Sequence, residues 1–377
     1  MIEKGKIDAR QFTILVVMYS LGTSIIAIPS TTSTYAQENA WITVLLTSLI
    51  GLMIVFLLNQ VSRINKNKNI FELFEYVFGK WVGKSITVLF LTFVFIVAGK
   101  NLRQIGDFIT TQVMVETPIQ VIMLIFVLTS LYAIKLGIEV IGRTSEIFFP
   151  YAFISLMLLI IFVAPQADFK NIQPVLVNNM EGTFLTVFPT LGTPYFELVV
   201  FLALLPYVNR VGPGRKAFYI GVGIGSFLLF AVTLMSLLVL GPDFSARNVY
   251  PTYILGKKIS GIQFLERIEI LVAIAWFFTI FFKISINFYV LSLGMSHLFQ
   301  LKSPKVLSTP LAFMIMIAGV YLAPNLIAYQ NFLAHDLAPF AGTFGIVLPV
   351  LLIIVARLRK KDKRNKRKKK KKRKKRK

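Results

Sequence analysis

The sequence predicts an all-α integral membrane protein of about ten transmembrane helices, set out as two halves of five, with the first helix of each half broken near the bilayer midplane. Three observations carry this. The chain of 377 residues is 56% apolar, with 34 Phe and a mean hydropathy of +0.71, which no soluble domain approaches. Apolar stretches of about 20 residues, enough to cross a hydrocarbon core of ~30 Å, fall at 12–35, 41–61, 82–105, 117–135 and 141–163, and again at 183–208, 217–240, 268–292, 306–323 and 342–357. Interruptions rich in Gly and Pro then lie inside the first stretch of each set.

Residues 1–10 form a short polar N-terminus. A cleaved signal peptide is the competing reading of the first span, but the apolar run ends in Pro-Ser-Thr-Thr-Ser-Thr, not in a small-residue cleavage site, and further spans follow. The connector 70–82 has apolar residues on most sides, with Glu72 and Glu75 on one face. It reads as an interfacial helix on the inner leaflet or as a packing elbow. Gly221 and Gly225 make a small-xxx-small pair suited to close helix packing, and no strand precedes them to support a nucleotide loop.

Segments expected on the N-terminal side carry 15 Lys/Arg even without the C-terminal tail, against 7 on the other side. The positive-inside rule therefore puts both termini in the cytoplasm. The chain divides into a cytoplasmic N-terminus (1–10), a first five-helix repeat (11–163), an extracytoplasmic connector (164–182), a second repeat (183–357) and a polybasic tail (358–377).

The formal charge of +24 is concentrated, since residues 357–377 hold 18 Lys/Arg and one Asp. Such a tail cannot pack a core and is expected to be disordered. Anionic lipid is its expected partner, at about 1 kcal/mol per basic residue near the surface, and no specific nucleic-acid contact is expected. There is no Cys, and the two histidines, His297 and His335, lack partners at metal-ligand spacing. Thiol chemistry is excluded, and neither a metal nor another cofactor is expected.

The two interruptions carry the functional reading. Residues 188–197 read Phe-Pro-Thr-Leu-Gly-Thr-Pro-Tyr-Phe-Glu, and 22–29 read Gly-Thr-Ser-Ile-Ile-Ala-Ile-Pro. Each lies ten residues from the cytoplasmic end of its span, roughly 15 Å of helix, or half the core. Paired breaks at matching depth point to an inverted-repeat transporter with its site between the repeats, although proline kinks are common in membrane helices. Half-helix N-termini would offer N–H groups to a carboxylate, and open carbonyls would suit an ammonium, so a zwitterion such as an amino acid fits.

Glu197 follows the second break. A carboxylate at mid-span costs about 2.5–3.5 kcal/mol to insert, so it either braces loose N–H groups or serves as a proton or substrate site. Lys283 either snorkels to the cytoplasmic headgroups or pairs with Glu197. Lys100 and Arg103 are expected at the outer interface, and Thr279 could offer its hydroxyl to a central ligand.

Ile7-Asp8-Ala9-Arg10-Gln11, the break at 22–29, Pro194-Tyr195-Phe196-Glu197, and Arg267-Ile268-Glu269 followed by Trp276 and Lys283 resemble the spore germination permeases. These are the B subunits of nutrient germinant receptors, and the similarity covers about 7–358. It implies the amino acid/polyamine/organocation transporter superfamily and a LeuT-type five-plus-five inverted repeat with helices 1 and 6 broken. It also implies a non-enzymatic subunit of the spore inner membrane, beside an A subunit and a lipoprotein C subunit, in which a small nutrient such as an amino acid triggers germination. A proton-coupled amino acid permease is the alternative. By position, the pocket would be formed by Gly22, Thr23, Ser24, Ile25 and Ile26 of the first span and Val97, Ala98 and Gly99 of the third. Leu191, Gly192, Thr193, Pro194 and Tyr195 of the sixth and Thr279 of the eighth would complete it, with Glu197 and Lys283 as coupling or structural charges. One departure is Phe196, where the family often has glycine, and a bulky residue there favours a smaller or differently shaped nutrient.

Overall fold

The computed structural model describes residues 5–176, 179–258, 269–323 and 325–360. Among them, eight helical stretches are long and apolar enough to cross a membrane, and two shorter apolar helices, Ala9–Leu21 and Ser308–Tyr321, accompany them. The ten predicted spans map onto this set, and the chain is a multi-pass membrane protein.

The first span is two helices, α1 (Ala9–Leu21) and α2 (Ser24–Ala36). Asp8 and Gln11 form a capping box at the start of α1, and Gly22 and Thr23 interrupt the span. Pro29 inside α2 lacks an N–H, which strands the carbonyl of Ile25 one turn back. The Thr252 hydroxyl donates to that carbonyl at 2.7 Å.

A turn at 37–39, with Gln37 at φ 49°, leads to α3 (Ala40–Ser62). The 70–82 connector contains α4 (Ile70–Phe78), whose Ile70, Phe71, Leu73, Phe74 and Val77 are buried inside the protein. Phe71 and Phe74 meet Phe90 edge-on at 6.0 and 5.8 Å. The segment is thus a packing elbow more than a leaflet-bound helix, because its apolar face is already covered by protein.

The third span, α5 (Lys80–Phe108), runs on through a π turn to Val113. Then come α6 (Ile119–Leu136) and α7 (Ile138–Val163), hinged at Gly137, whose φ of +103° favours glycine. The sixth span is fragmented into α8 (Met180–Leu185), α9 (Val187–Leu191), an irregular stretch at 192–195, a 3₁₀ turn Phe196–Val200 and α10 (Phe201–Leu204). After it come α11 (Val211–Leu240), the short α12 (Pro242–Arg247) and α13 (Pro251–Lys257), α14 (Glu269–Leu298) and α15 (Ser308–Tyr321). The last span includes α16 (Leu326–Asn331) and α17 (Leu337–Gly342) and is helical through Lys360, starting well before the predicted 342. Residues 361–377 of the tail and the motif residues 267–268 lie outside the described residues.

Span one sits at the centre, with α1 packed on α11, α14 and α7. The glycine pair works as a close-approach device: a Cβ on Gly221 would lie 2.8 Å from the Thr13 carbonyl and Val16, and one on Gly225 would lie 3.1 Å from Ser20. At the N-terminal end of the bundle, the Ile7 N–H donates to the Tyr207 carbonyl at 3.0 Å and the Asn209 N–H donates to the Ile7 carbonyl at 2.9 Å. This clasp ties the start of span one to the end of span six.

Candidate ligand site at the two helix breaks

The break in span one strands backbone carbonyls at membrane depth, where an unmet polar group costs several kcal/mol. Side chains from other helices take them up. The Trp276 indole N–H donates to the Gly22 carbonyl, and the Gln104 amide donates to the Thr23 carbonyl at 3.3 Å. The N-terminus of α2 is different, since no side chain caps it. Ser24 is fully buried, and its hydroxyl has no partner among the described residues.

In span six the side chains after Gly192 diverge. The Tyr195 ring lies over Gly51 of α3, and its hydroxyl sits 3.1 Å from Ser48 and 2.8 Å from Ser226. Phe196 turns toward the last span, where Gly342 and Gly345 leave room for it. Its ring therefore lies against the last span. The Thr193 carbonyl faces the centre and accepts from the Lys283 ammonium at 3.3 Å.

The centre is a charge cluster. Glu197 is fully buried, with Lys100 Nζ 2.5 Å from Oε1 and Lys283 Nζ 2.9 Å from Oε2. Lys283 Nζ also donates to Thr23 Oγ1 at 2.9 Å and lies 4.9 Å from the centre of the Tyr19 ring. Its approach to Oε2 is close but poorly aligned, as that oxygen makes no hydrogen bond of good geometry. The Tyr19 hydroxyl donates to Asn287 Oδ1 at 2.9 Å, and the Asn287 amide donates to the Lys283 carbonyl at 3.0 Å. Two ammonium groups share one carboxylate, so three elements far apart in sequence are bound together by charge. Burying ions costs several kcal/mol each and is tolerated only where opposite charges and hydrogen-bond partners face them.

Of the predicted residues, Gly22, Thr23, Ser24, Thr193, Glu197 and Lys283 converge here. Gly22 gives passage to the lysine stem, since a Cβ there would lie 2.5 Å from Lys283 Cδ. Lys283 does not snorkel, because Glu197 holds it in the core. Gly99 faces Ala318 and Gly319 of α15, and Gly192 faces Ala338 of α17. The Thr279 hydroxyl donates to the Trp276 carbonyl within its own helix at 2.9 Å. Ile25, Ile26, Val97, Ala98, Leu191 and Pro194 are buried around the breaks.

The expectation that Lys100 and Arg103 lie at the outer interface is overturned, since both are buried. The helix containing them has 34 residues, about 51 Å at helical rise. It exceeds the ~30 Å core, so position along the helix does not translate directly into depth. Arg103 Nε lies 3.0 and 2.9 Å from the two Asp107 oxygens, and Nη1 donates to the Val320 and Ala323 carbonyls at 3.2 and 2.7 Å. Tyr19, Gln104 and Asn101 are further buried polar residues of this region that the pattern of breaks does not single out. The polar run Lys100-Asn101-Leu102-Arg103-Gln104 inside an apolar span was the available signal. Asn101 is fully buried, with both amide atoms unpartnered among the described residues.

A funnel leads toward this cluster from the end of the bundle opposite the Ile7 clasp. Its mouth, of about 560 Å³, is lined by Thr34, Tyr35, Glu181 and His335. Its tip, of about 40 Å³, is lined by Ser24, Thr190, Thr193 and Leu333. The two share Tyr35, Thr186, Pro189 and Ala334, and the tip has room for a water or two but not for an amino acid. Among the described residues no cluster of three His, Asp or Glu could hold a metal.

Comparison with known proteins agrees with this architecture. The chain is 27% identical over 364 residues to spore germination protein KB of Bacillus subtilis (strain 168), covering 96% of this chain and 97% of that one. Its fold is similar to that of MhsT, solved with L-phenylalanine, with a TM-score of 0.69 at 14% identity over 94% of this chain and 97% of the other. It also resembles Mhp1, a nucleobase-cation-symport transporter, with a TM-score of 0.64 at 11% identity over 93% and 78% of the two chains. A family model described as spore germination protein matches residues 6–327, and the chain belongs to that family.

Proposed function

We propose that this protein is the membrane subunit of a nutrient germinant receptor and that it binds a small zwitterionic nutrient, an amino acid, between the two breaks. One observation carries the reading. The uncapped N-terminus of α2, with the unpartnered Ser24 hydroxyl, adjoins an ammonium-binding cage built on Thr23 Oγ1, the Thr193 carbonyl and Glu197. A carboxylate suits the first and an ammonium the second, the two charges that an α-amino acid carries. The L-phenylalanine bound to MhsT supports the same class of ligand.

In this reading the funnel is the nutrient's entry, on the extracytoplasmic side of the spore inner membrane. Both termini are cytoplasmic, the basic tail rests on anionic lipid, and A and C subunits receive the signal. The protein catalyses no reaction. The test is germination of a deletion strain against a panel of single nutrients. The expected result is loss of the response to one nutrient, with its uptake by growing cells unchanged. A full set of intact responses would sink the receptor reading.

A proton-coupled permease is the second reading, favoured by the likeness to a symporter fold. It predicts that the purified chain alone, in liposomes with an imposed proton gradient, accumulates labelled amino acid. The receptor reading predicts no accumulation.

A further inference from the structure

The ammonium cage is already full. Lys283 Nζ holds Thr23 Oγ1 at 2.9 Å and the Thr193 carbonyl at 3.3 Å, lies 2.9 Å from Glu197 Oε2, and faces the Tyr19 ring at 4.9 Å. Two hydrogen-bond acceptors, a counter-charge and an aromatic face are what a free alkylammonium would seek. The lysine reaches the cage because Gly22 has no side chain. Lys283 is also redundant for neutralising Glu197, whose Oε1 accepts from Lys100 at 2.5 Å. Charge balance at Glu197 therefore does not by itself account for its position.

We propose that Lys283 is a tethered competitor for the nutrient's ammonium group. It occupies the ammonium subsite in the resting receptor, and nutrient binding expels it. The proposal rests on the zwitterion reading above and adds the event that follows binding. Lys283 is the side chain by which α14 holds Thr23 and Thr193, one on each broken span. Expulsion cuts both of those bonds and leaves the Trp276 bond to the Gly22 carbonyl and the Tyr19–Asn287 bond as polar links between α14 and the first broken span. The nutrient thereby exchanges a contact between helices for a contact with ligand, which frees α14 to shift. A competitor that fills its subsite lowers apparent affinity in proportion to the time the subsite is free.

The experiment truncates the competitor. Lys283→Ala leaves Glu197 paired with Lys100, so the buried charges balance, and it leaves the cage vacant. Purified full-length protein in nanodiscs is titrated with n-propylammonium, an ion that replaces the deleted stem, while thermal unfolding is followed. The expected result is a saturable rise in unfolding temperature for Lys283→Ala and none for the wild type. No rise in the variant overturns the proposal. In spores, the half-maximal amino acid concentration for the variant is expected to fall about tenfold or more, as removal of a competitor requires. An unchanged or higher midpoint overturns the competitor role. If Lys283→Ala does not reach the membrane, Lys283→Met, which keeps the stem without the charge, is read by the same midpoint with the same two outcomes. A propylammonium shift without any amino acid response would instead sink the zwitterion reading and leave the cage intact.

Discussion

Glu197→Ala is expected to remove nearly all folded protein from the membrane, because it leaves Lys100 and Lys283 buried without a counter-charge. Both lysine side chains are fully buried, at 2.5 and 2.9 Å from the carboxylate. Removing one member of a buried pair typically costs about 3–5 kcal/mol, a large share of the ~5–15 kcal/mol that holds a domain folded. Here one deletion orphans two charges. Membrane abundance and thermal unfolding of detergent-purified protein measure the loss. Substituting Lys100→Met and Lys283→Met together with Glu197→Leu is expected to restore much of the abundance, since apolar groups of similar volume replace buried ions at little cost. Normal abundance of Glu197→Ala alone would mean that the two lysines are not held as charges.

Gly22→Ala is expected to be strongly damaging for a single added methyl group. The added carbon would lie 2.5 Å from Lys283 Cδ and 3.0 Å from its Cβ. The lysine can yield only by leaving Thr23 and Thr193, and the backbone can yield only by reopening the break. Overpacking of this kind costs about 1–3 kcal/mol, which predicts a lower unfolding temperature and reduced membrane abundance. Adding Lys283→Ala removes the nearer clashing atom, so the double variant is expected to be more stable than the sum of the single effects. That coupling, read in a double-mutant cycle of unfolding temperatures, separates a contact between the two residues from general damage. Additive losses would rule out the contact.

Much of this architecture was legible in the sequence for physical reasons. Lipid demands continuous apolar runs and satisfied backbone, so the ten spans and the two breaks stand out against that demand. The partners of the breaks were less legible. Nothing in the local sequence around Lys100 marks it as a counter-ion of a glutamate 97 positions away. Its assignment to the outer edge followed from equating distance along a helix with depth. The connector at 70–82 had the composition of a leaflet helix, and only the presence of Phe90 beside Phe71 and Phe74 turned it into an elbow. Phe196 looked like an obstruction because glycines that receive it, Gly342 and Gly345, lie on another helix. In each case the local pattern was sound, and the missing information was which helix stands opposite.

The account depends most on the pairing of a carboxylate subsite at Ser24 with an ammonium subsite at Thr23. Its most direct test is equilibrium binding of the amino acid identified by the germination panel, using wild-type and Ser24→Ala protein in nanodiscs. The Ser24 hydroxyl is buried and has no partner among the described residues, so its removal should leave thermal unfolding unchanged or slightly improved. A hydrogen bond to a charged carboxylate is worth about 1.5–3 kcal/mol, so affinity should fall ~10–100-fold. Equal affinity of the two proteins would contradict a ligand carboxylate at the N-terminus of α2.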